Sequence, residues 1–342
     1  MSHESSRTTT DQRGRIRVTG FDTSAFEDRD ERFDWQQEES TVSRSRWTRS
    51  WERFKRNRTA LAGLAIIAVM LFVTIFARPI AVEGITIQPF SLAPFDPTNS
   101  NFGALNEAPS ASHPFGTDWS GKDILSRVMY GGRYSLTIGV ITVGIALSVG
   151  VPLGAIAGYY GGWVDEVIMR LVDILYAFPF LVLAIALISV LGQGFWNMIT
   201  ALVLVVWISY ARLLRGEVLS VKENEYVTAA KALGARDRSI IFRHVVPNAM
   251  APVIVQATLG IGTVVLNAAA LGFLGLGLEP GSPEWGSMLS SGRDTLIQGY
   301  WWVTVFPGLA IFLFVLSINL VGDGVRDAVD PQGDSGGNAG VR

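Results

Sequence analysis

The chain has 342 residues, of which 49% are hydrophobic and 17% are charged, so it is more apolar than a soluble domain of this length requires. It contains no cysteine, which excludes disulfides and thiolate metal sites. The net charge of −2 averages segments of very different charge. Together these features favour an integral membrane protein.

The N-terminal part consists of two segments of opposite charge. Residues 1–43 carry ten acidic and six basic residues without apolar periodicity, which predicts a disordered cytoplasmic segment that buries too little surface to offset its ordering entropy. Residues 44–58 carry seven basic residues, one acidic residue and aromatic residues at helical spacing. This pattern predicts a basic amphipathic helix at the bilayer interface. An apolar span follows at once, so we favour membrane binding over nucleic-acid binding.

Residues 59–133 combine a predicted first transmembrane helix with an outer loop. The seventeen residues 61–77 are uncharged, which is just long enough to span a hydrocarbon core. Residues 79–121 contain no lysine or arginine, as is typical of an extracytoplasmic loop. The stretch at 116–123 approaches a phosphate-binding P-loop, but Asp123 stands where Ser or Thr is needed and no strand precedes it, so phosphate binding is not predicted.

Hydropathy predicts five more membrane helices within residues 134–323, the core of the molecule, followed by a cytoplasmic tail at 324–342. The predicted apolar segments are 135–157, 174–192, 198–211, 245–278 with a glycine-rich exit, and 301–321. A short polar turn at 159–170 joins the first two. Glycines recur every four residues in the first of these segments, which predicts a face where another helix approaches closely. They are Gly150, Gly154 and Gly158.

Polar side chains near these spans are interpreted as structural. Asp173 lies three residues after Arg170 at the mouth of the third predicted span, where an ion pair between the two would avoid the cost of a charge in the bilayer. Asn267 and Asn319 are the strongly polar residues deep in the last two spans, and each is predicted to form a hydrogen bond between helices.

Charge asymmetry predicts the topology. Seven basic residues fall in 44–58 and seven in 212–243, against none in 79–121 or 192–198. The predicted fold is therefore an all-α integral membrane protein of the cell membrane. It has six transmembrane helices, a cytoplasmic hairpin between helices 4 and 5, and cytoplasmic N- and C-termini.

The polar hairpin at residues 225–247 separates two long apolar segments. Its first half is rich in helix formers and stops at Gly234, which suits the left-handed conformation that ends many helices. Asp237 can N-cap a second short helix, and Pro247 can lie near the start of the next one. On spacing alone, this unit is equally compatible with a solvated loop between helices.

The hairpin resembles the cytoplasmic loop of ABC importer permeases, whose pattern is Glu-Ala-Ala, three residues, Gly, nine residues and Ile-x-Leu-Pro. Ala229, Ala230, Gly234 and Pro247 match its spacing. The chain departs from it by having Thr228 for the Glu, His244 for the Ile and Val246 for the Leu.

The amino-acid sequence of the hairpin is similar to that of the dipeptide, oligopeptide and nickel branch of these permeases. The stretches at 113–118, 130–136 and 266–289 are similar to the same branch. The resemblance covers residues 45–332. Asn267 and Gly272 depart from that branch, in which Glu and Ser are usual, and this puts any polar role at those two positions in doubt.

The resemblance implies the permease subunit of an ATP-driven importer. Its partners would be a second, homologous permease, two ATPase subunits that hold ATP and magnesium, an extracytoplasmic solute-binding protein and the lipid bilayer, with no nucleic acid. Small peptides are the implied solute, with nickel or sugars carried by close relatives. The implied ATPase-coupling loop comprises Thr228, Ala229, Ala230, Gly234, Ala235, Arg236, Asp237, Arg238, His244 and Pro247.

Two other classes of function are less consistent with the residues. A stand-alone channel or secondary transporter would need an ionisable residue on its pathway, and none lies near the middle of a predicted span. A membrane enzyme is disfavoured because the three histidines, His3, His113 and His244, lack ligand spacing and no nucleophile is paired with a base. We therefore predict no catalytic residue, metal site or cofactor in this chain.

Overall fold

The computed structural model describes residues 9–10, 16–17, 46–82 and 85–329. Contacts divide the chain into two compact units, Met1–Arg49 and Ser50–Arg342. In the first unit, strands β1 (Thr9–Thr10) and β2 (Ile16–Arg17) pair antiparallel. The prediction of disorder for residues 1–43 otherwise falls outside the described residues.

The described part of the chain is mostly helical. Its helices are α1 (Arg46–Arg56), α2 (Arg58–Phe76), α3 (Ile124–Tyr160), α4 (Gly162–Tyr176), α5 (Phe180–Leu191), α6 (Phe195–Val221), α7 (Glu225–Ala232), α8 (Asp237–Ile240), α9 (Val246–Phe273), α10 (Trp285–Ile297) and α11 (Trp302–Val329). A π-helical turn, Ile241–Val245, joins α8 to α9. A β-hairpin after α2 pairs β3 (Ile80–Val82) with β4 (Ile85–Gln88).

Within the described residues, five helices are long and apolar enough to cross a membrane: α2, α3, α6, the continuous α8–α9 and α11. The pair α4 and α5 makes a sixth span if it is counted as one. Helix α3 starts well before the predicted span at 135–157. Helix α11 continues to Val329, into the segment predicted as a tail.

The span predicted at residues 174–192 is not a single helix, because it contains the junction between α4 and α5, which meet at an angle of 89°. Pro179 is the N-cap of α5, and a proline disfavours helical backbone at the residue before it. The polar turn predicted at 159–170 is also wrong, since most of it belongs to α4. That helix is amphipathic, with charged residues on one face, and the hydropathy pattern did not reveal it.

Helix α3 packs closely against α6 along a row of glycines. A Cβ atom added to Gly150 would lie 2.7 Å from the carbonyl oxygen of Trp207, and one added to Gly154 would lie 2.4 Å from that of Ala211. A Cβ at Gly158 would lie 2.8 Å from a Val218 methyl group and 2.9 Å from the carbonyl oxygen of Arg215. Because the obstacles include backbone, the two helices can approach this closely only where α3 has no side chain.

Arg133 holds the C-terminal end of α2. Its guanidinium donates hydrogen bonds to the carbonyl oxygens of Thr74 (3.0 Å) and Ile75 (2.7 Å), and also to that of Arg78. The last carbonyls of a helix lack intrahelical donors, and a cation is favourable there. This contact gives a basic residue close to an apolar span a structural role.

At the opposite end of the bundle, α1 and α2 are fixed to α11. Phe54 is buried against Ala60 and Ala328. The Asn57 side chain caps α2 by accepting from the Ala60 amide at 3.0 Å, and its Nδ2 donates to Asp327 at 3.0 Å. These contacts therefore hold the start of α2 against the end of α11.

Candidate functional site

The polar hairpin ends in an exposed tip. Helix α7 stops at Ala232, and Gly234 has a φ of +80°. The Ala235 amide donates to the Ala230 carbonyl at 3.1 Å and the Gly234 amide to the Lys231 carbonyl at 2.9 Å. This pair of bonds is a Schellman motif, and it turns the chain sharply. The left-handed glycine predicted from the sequence is thus confirmed at Gly234.

An apolar side chain projects from this turn, since Leu233 is 88% exposed. On α8 and the π-helical turn, Phe242 is 66% exposed and lies among basic residues. The depression around it is lined by Arg236, Arg238, Ser239, Phe242 and Arg243. Sequence reasoning missed Leu233 and Phe242. Both are large apolar residues in a charged hairpin, but their exposure depends on the rotation of the helices, which the sequence pattern does not give.

The other face of the hairpin packs against the membrane helices. Val227 and Ile240 are fully buried and belong to the main hydrophobic core. The Tyr159 hydroxyl, at the end of α3, donates to the Asp237 carboxylate at 2.7 Å, and the Lys231 ammonium lies 5.1 Å from the Tyr159 ring centroid. Both hairpin helices therefore contact one side chain of α3.

The residues of the predicted coupling loop occupy three places. Thr228, Ala229 and Ala230 lie on α7; Gly234, Ala235 and Arg236 form the turn; Asp237 and Arg238 begin α8. His244 lies in the π-helical turn and Pro247 in the first turn of α9, so both are separated from the tip by the length of α8. The prediction that Asp237 is the N-cap of α8 is wrong, because Arg236 occupies that position. The Asp237 carboxylate instead accepts a hydrogen bond from Tyr159.

Removal of the Tyr159 hydroxyl should loosen the hairpin. In Tyr159→Phe the ring and its packing remain, and only the bond to Asp237 is lost, at a cost of about 1 kcal/mol. We expect roughly five-fold faster hydrogen exchange of the α7 and α8 amides. Tyr160→Phe is the matched control, because Tyr160 is exposed and its hydroxyl makes no hydrogen bond to another described residue. Equal exchange rates in the two variants would contradict the tether.

Ion pairs join α4 to α6 beside the hairpin. Arg215 donates two hydrogen bonds of 2.5 Å to Asp165, and Arg212 donates to Asp173 at 2.6 Å. The predicted partnership of Asp173 with Arg170 is wrong, since Arg170 approaches Glu166 instead. Arg212 reaches Asp173 across the helix interface and also stacks 4.3 Å from the Tyr176 ring centroid. Local spacing could not reveal this long-range partner.

A cavity of about 410 Å³ lies between the bend of α4 and α5, helix α6 and helix α9. Its lining residues are uncharged: Leu175, Tyr176, Phe178, Phe180, Val205, Val206, Ile208, Ser209, Tyr210, Gln256, Gly260, Thr263, Val264 and Asn267. The hydrogen bonds between helices predicted for Asn267 and Asn319 are not found, because neither side chain bonds to another described residue. Asn267 faces the cavity and Asn319 is exposed on α11.

The end of the bundle opposite the polar hairpin is closed by buried polar contacts. Asp123 caps α3 by accepting from the Ser126 amide at 2.8 Å, and it lies 2.9 Å from His113 Nδ1. The capping of α3 explains why an aspartate stands at position 123, where a P-loop would need Ser or Thr. Buried Arg127 donates to the Ser282 carbonyl at 3.2 Å and faces Asp118 at 3.6 Å.

Two acids on this side have pKa values set by their surroundings. A hydrogen bond from Thr98, assisted by Arg78, lowers the pKa of Asp96 to about 2. Burial raises the pKa of Glu284, which is fully enclosed and caps α10. Within the described residues, no group of three His, Asp or Glu side chains is placed to hold a metal ion.

Long apolar helices around an uncharged cavity, with a polar hairpin at one end, define a polytopic membrane transport component. The chain belongs to the family of binding-protein-dependent transport system inner membrane components, whose family model matches residues 150–332. A second model, the N-terminal transmembrane domain of oligopeptide transport permease C, matches residues 45–109. The chain is thus an ABC-importer permease of the peptide and nickel branch, and the family predicted from the hairpin is confirmed.

Similar proteins agree with this assignment. The chain is 45% identical to the dipeptide transport system permease protein DppC of Alkalihalophilus pseudofirmus over 295 residues, 86% of this chain and 93% of the relative. It is 43% identical to the glutathione transport system permease protein GsiD of Escherichia coli O6:K15:H31 over 291 residues, 84% and 91% of the two chains.

Solved structures also share the fold. A chain of the MetNI methionine ABC transporter, in an inward-facing conformation, superposes with a TM-score of 0.50 and 20% identity. The match covers 60% of this chain and 98% of that chain. At this level of identity the likeness bears on the fold alone.

Proposed function

We propose that this permease moves small peptides into the cytoplasm. It would do so beside a second, homologous permease, with two ATPase subunits that hold ATP and magnesium and an extracytoplasmic protein that delivers the solute. The printed names of the relatives, dipeptide and glutathione permeases, support a short peptide as the solute. The observation that carries the ATPase coupling is the exposed apolar tip of the polar hairpin.

The exposed side of the hairpin, with Leu233 at the tip and Phe242 in the π-helical turn, has the properties of a docking surface. Leu233 is 88% and Phe242 66% exposed, although the hairpin around them is charged and outside the apolar spans. Apolar side chains displayed in this way mark interaction sites. Arg236, Arg238 and Arg243 surround Phe242, so the complementary groove on an ATPase subunit would combine an apolar floor with an acidic rim.

Charge supports a cytoplasmic position for the tip and both termini, because basic residues concentrate in the hairpin and in residues 44–58. Helix α1 would then lie at the inner interface of the cell membrane. Trp51 is 53% exposed there, with the Lys55 ammonium 5.2 Å from its ring centroid. An exposed aromatic residue beside basic residues is suited to a lipid headgroup layer.

Contacts from the tip offer a route for coupling. Movement of α7 and α8 with the ATPases would act on α3 through Tyr159 and Asp237. The α6 helix, which leads into the hairpin, would act on α4 through Arg215 and Asp165. Since α4, α6 and α9 line the cavity, a displacement of the hairpin reaches the cavity wall through packed and ion-paired side chains.

Leu233→Asp tests the proposal. A carboxylate at the centre of an apolar contact would be buried without a partner, so we expect the yield of ATPase co-purifying with the permease to fall at least tenfold. The control is Ile297→Asp at the end of α10, which changes another side chain that is 88% exposed, at the outer end of the bundle. The measurement is affinity purification of each variant from native membranes in mild detergent.

Two results would count against the proposal. If ATPase accompanies Leu233→Asp as well as wild type, the tip is not the docking surface. If no ATPase accompanies wild type, the assignment of an ATP-driven partner fails, and the stand-alone transporter becomes the better explanation.

A further inference from the structure

One face of α9 supplies the polar wall of the cavity. Gln256, Gly260, Thr263 and Asn267 are spaced by four, three and four residues, which places them on one side of a helix. All four line the cavity, and at 1.5 Å per residue they extend over about 16 Å of its length. The wall is therefore long enough to contact several units of an extended solute.

The two amide side chains on this wall have no partner, whereas the Thr263 hydroxyl donates to the Leu259 carbonyl at 3.4 Å. Neither Gln256 nor Asn267 makes a hydrogen bond to another described residue. Each side-chain amide offers donors and an acceptor, as the peptide group of a solute does. The wall can thus bind backbone amides and contributes no formal charge.

Two charges lie near the wall, and neither side chain lines the cavity itself. Arg326 lines a neighbouring depression that also includes Gln256. Arg212 stacks on the Tyr176 ring, which lines the cavity, but its charge is paired with Asp173 at 2.6 Å. None of the residues that line the cavity is ionisable at neutral pH, since tyrosine is the only titratable type among them. A charged solute side chain therefore meets neither a strong attraction nor a strong repulsion.

We propose that Asn267 sets the charge tolerance of the cavity. This inference rests on the proposed function and specifies its solute: short peptides held by their backbone amides, with cationic and anionic side chains accepted alike. Asn267 lies about 9 Å from the outer end of α9, where an incoming solute would meet it early. A single charge at this position would impose the selectivity that the wild-type wall lacks.

The test uses the assembled transporter in proteoliposomes and three dipeptides, Ala-Ala, Ala-Lys and Ala-Asp. For Asn267→Asp we expect the ratio of Ala-Lys to Ala-Asp uptake to rise at least tenfold relative to wild type, and for Asn267→Lys to fall at least tenfold. Ala-Ala uptake by each variant should stay within about threefold of wild type, because a neutral side chain has no charge–charge interaction with residue 267. The same delivering protein serves all variants, so its own preference cancels.

Matched variants separate cavity charge from damage to the fold. Thr263→Asp introduces an acid about one helical turn away on the same wall, at an exposed position, and should also raise the ratio. Asn319→Asp and Asn319→Lys make the same changes outside the cavity, where the ratio should not move.

The outcomes are distinguishable. Opposite shifts for Asn267→Asp and Asn267→Lys establish the inference. An unchanged ratio, or an equal loss of all three dipeptides in both variants, overturns it while wild-type uptake leaves the proposed function intact. If wild type shows no ATP-dependent uptake of any dipeptide, both the proposed function and this inference fail.

Discussion

A valine at Gly154 should prevent α3 and α6 from packing. The added Cβ would lie 2.4 Å from the Ala211 carbonyl oxygen and 3.1 Å from the Ala211 Cα. Since the obstacle is backbone, no side-chain rotation relieves the clash and the helices must separate. Overpacking of this kind costs about 3 kcal/mol. We expect Gly154→Val to have a clearly lower thermal unfolding midpoint in detergent than wild type. The midpoint is measured by size-exclusion chromatography of samples heated to a series of temperatures.

Gly144→Val is the matched control on the same helix. Gly144 is exposed, and no atom lies within 4 Å of the position its Cβ would occupy. Both variants add the same side chain to α3, so any difference between them reports the contact with α6. Equal midpoints would contradict the proposal that Gly150, Gly154 and Gly158 set the distance between these helices.

Loss of Glu284 should destabilise the outer end of the bundle. Its carboxylate is fully buried and accepts from the amides of Gly286 and Ser287 at 2.8 Å, from the Ser287 hydroxyl at 3.0 Å and from the Ser135 hydroxyl at 3.2 Å. Glu284→Ala leaves these donors without their acceptor at the start of α10. Unsatisfied buried groups and a lost cap together cost about 3 kcal/mol. The measurement is again the unfolding midpoint in detergent.

Gly272 is part of the same arrangement. A Cβ at Gly272 would lie 2.7 Å from a Glu284 carboxylate oxygen, so the serine that is usual in this branch would crowd the cap. The control for Glu284→Ala is Asp294→Ala, which removes an 86% exposed acid from the same helix and should change stability by less than about 0.5 kcal/mol. Similar losses in the two variants would show that the buried cap is unimportant.

The effect of Glu284 should also depend on pH. Burial raises its pKa above the ordinary 4.5, so the folded protein binds this proton more tightly than the unfolded chain does. Its contribution to stability is complete below pH 4.5 and is lost as pH rises through the raised pKa. We therefore expect the advantage of wild type over Glu284→Ala to be larger at pH 4 than at pH 8.

Several features of the site could be predicted because they depend on residues close in the chain. Gly234 ends α7 in the left-handed conformation, since the bonds that stabilise this turn involve residues within one helical turn. The apolar spans and the polar hairpin follow from composition, because the cost of a charge in lipid is a property of the segment itself.

The errors arose where a side chain had a choice of distant partners. Asp173 was assigned to nearby Arg170, yet it pairs with Arg212 on another helix. The bend at Pro179 was missed because the apolar run continues through the proline, and hydropathy does not register backbone geometry. Asn267 was assigned a bond between helices, whereas the rotation of α9 turns it toward the cavity.

By itself, the sequence determined that this chain is a helical membrane protein, where its hairpin turns and to which family it belongs. These properties reside in segment composition, in local backbone preferences and in a motif of fixed spacing. Only the tertiary structure decided that α3 is tied to the hairpin by Tyr159, that α4 bends away from α5 and that an uncharged cavity forms between this bend, α6 and α9. Those features depend on how helices are rotated and packed against one another, and that information is spread over residues far apart in the chain.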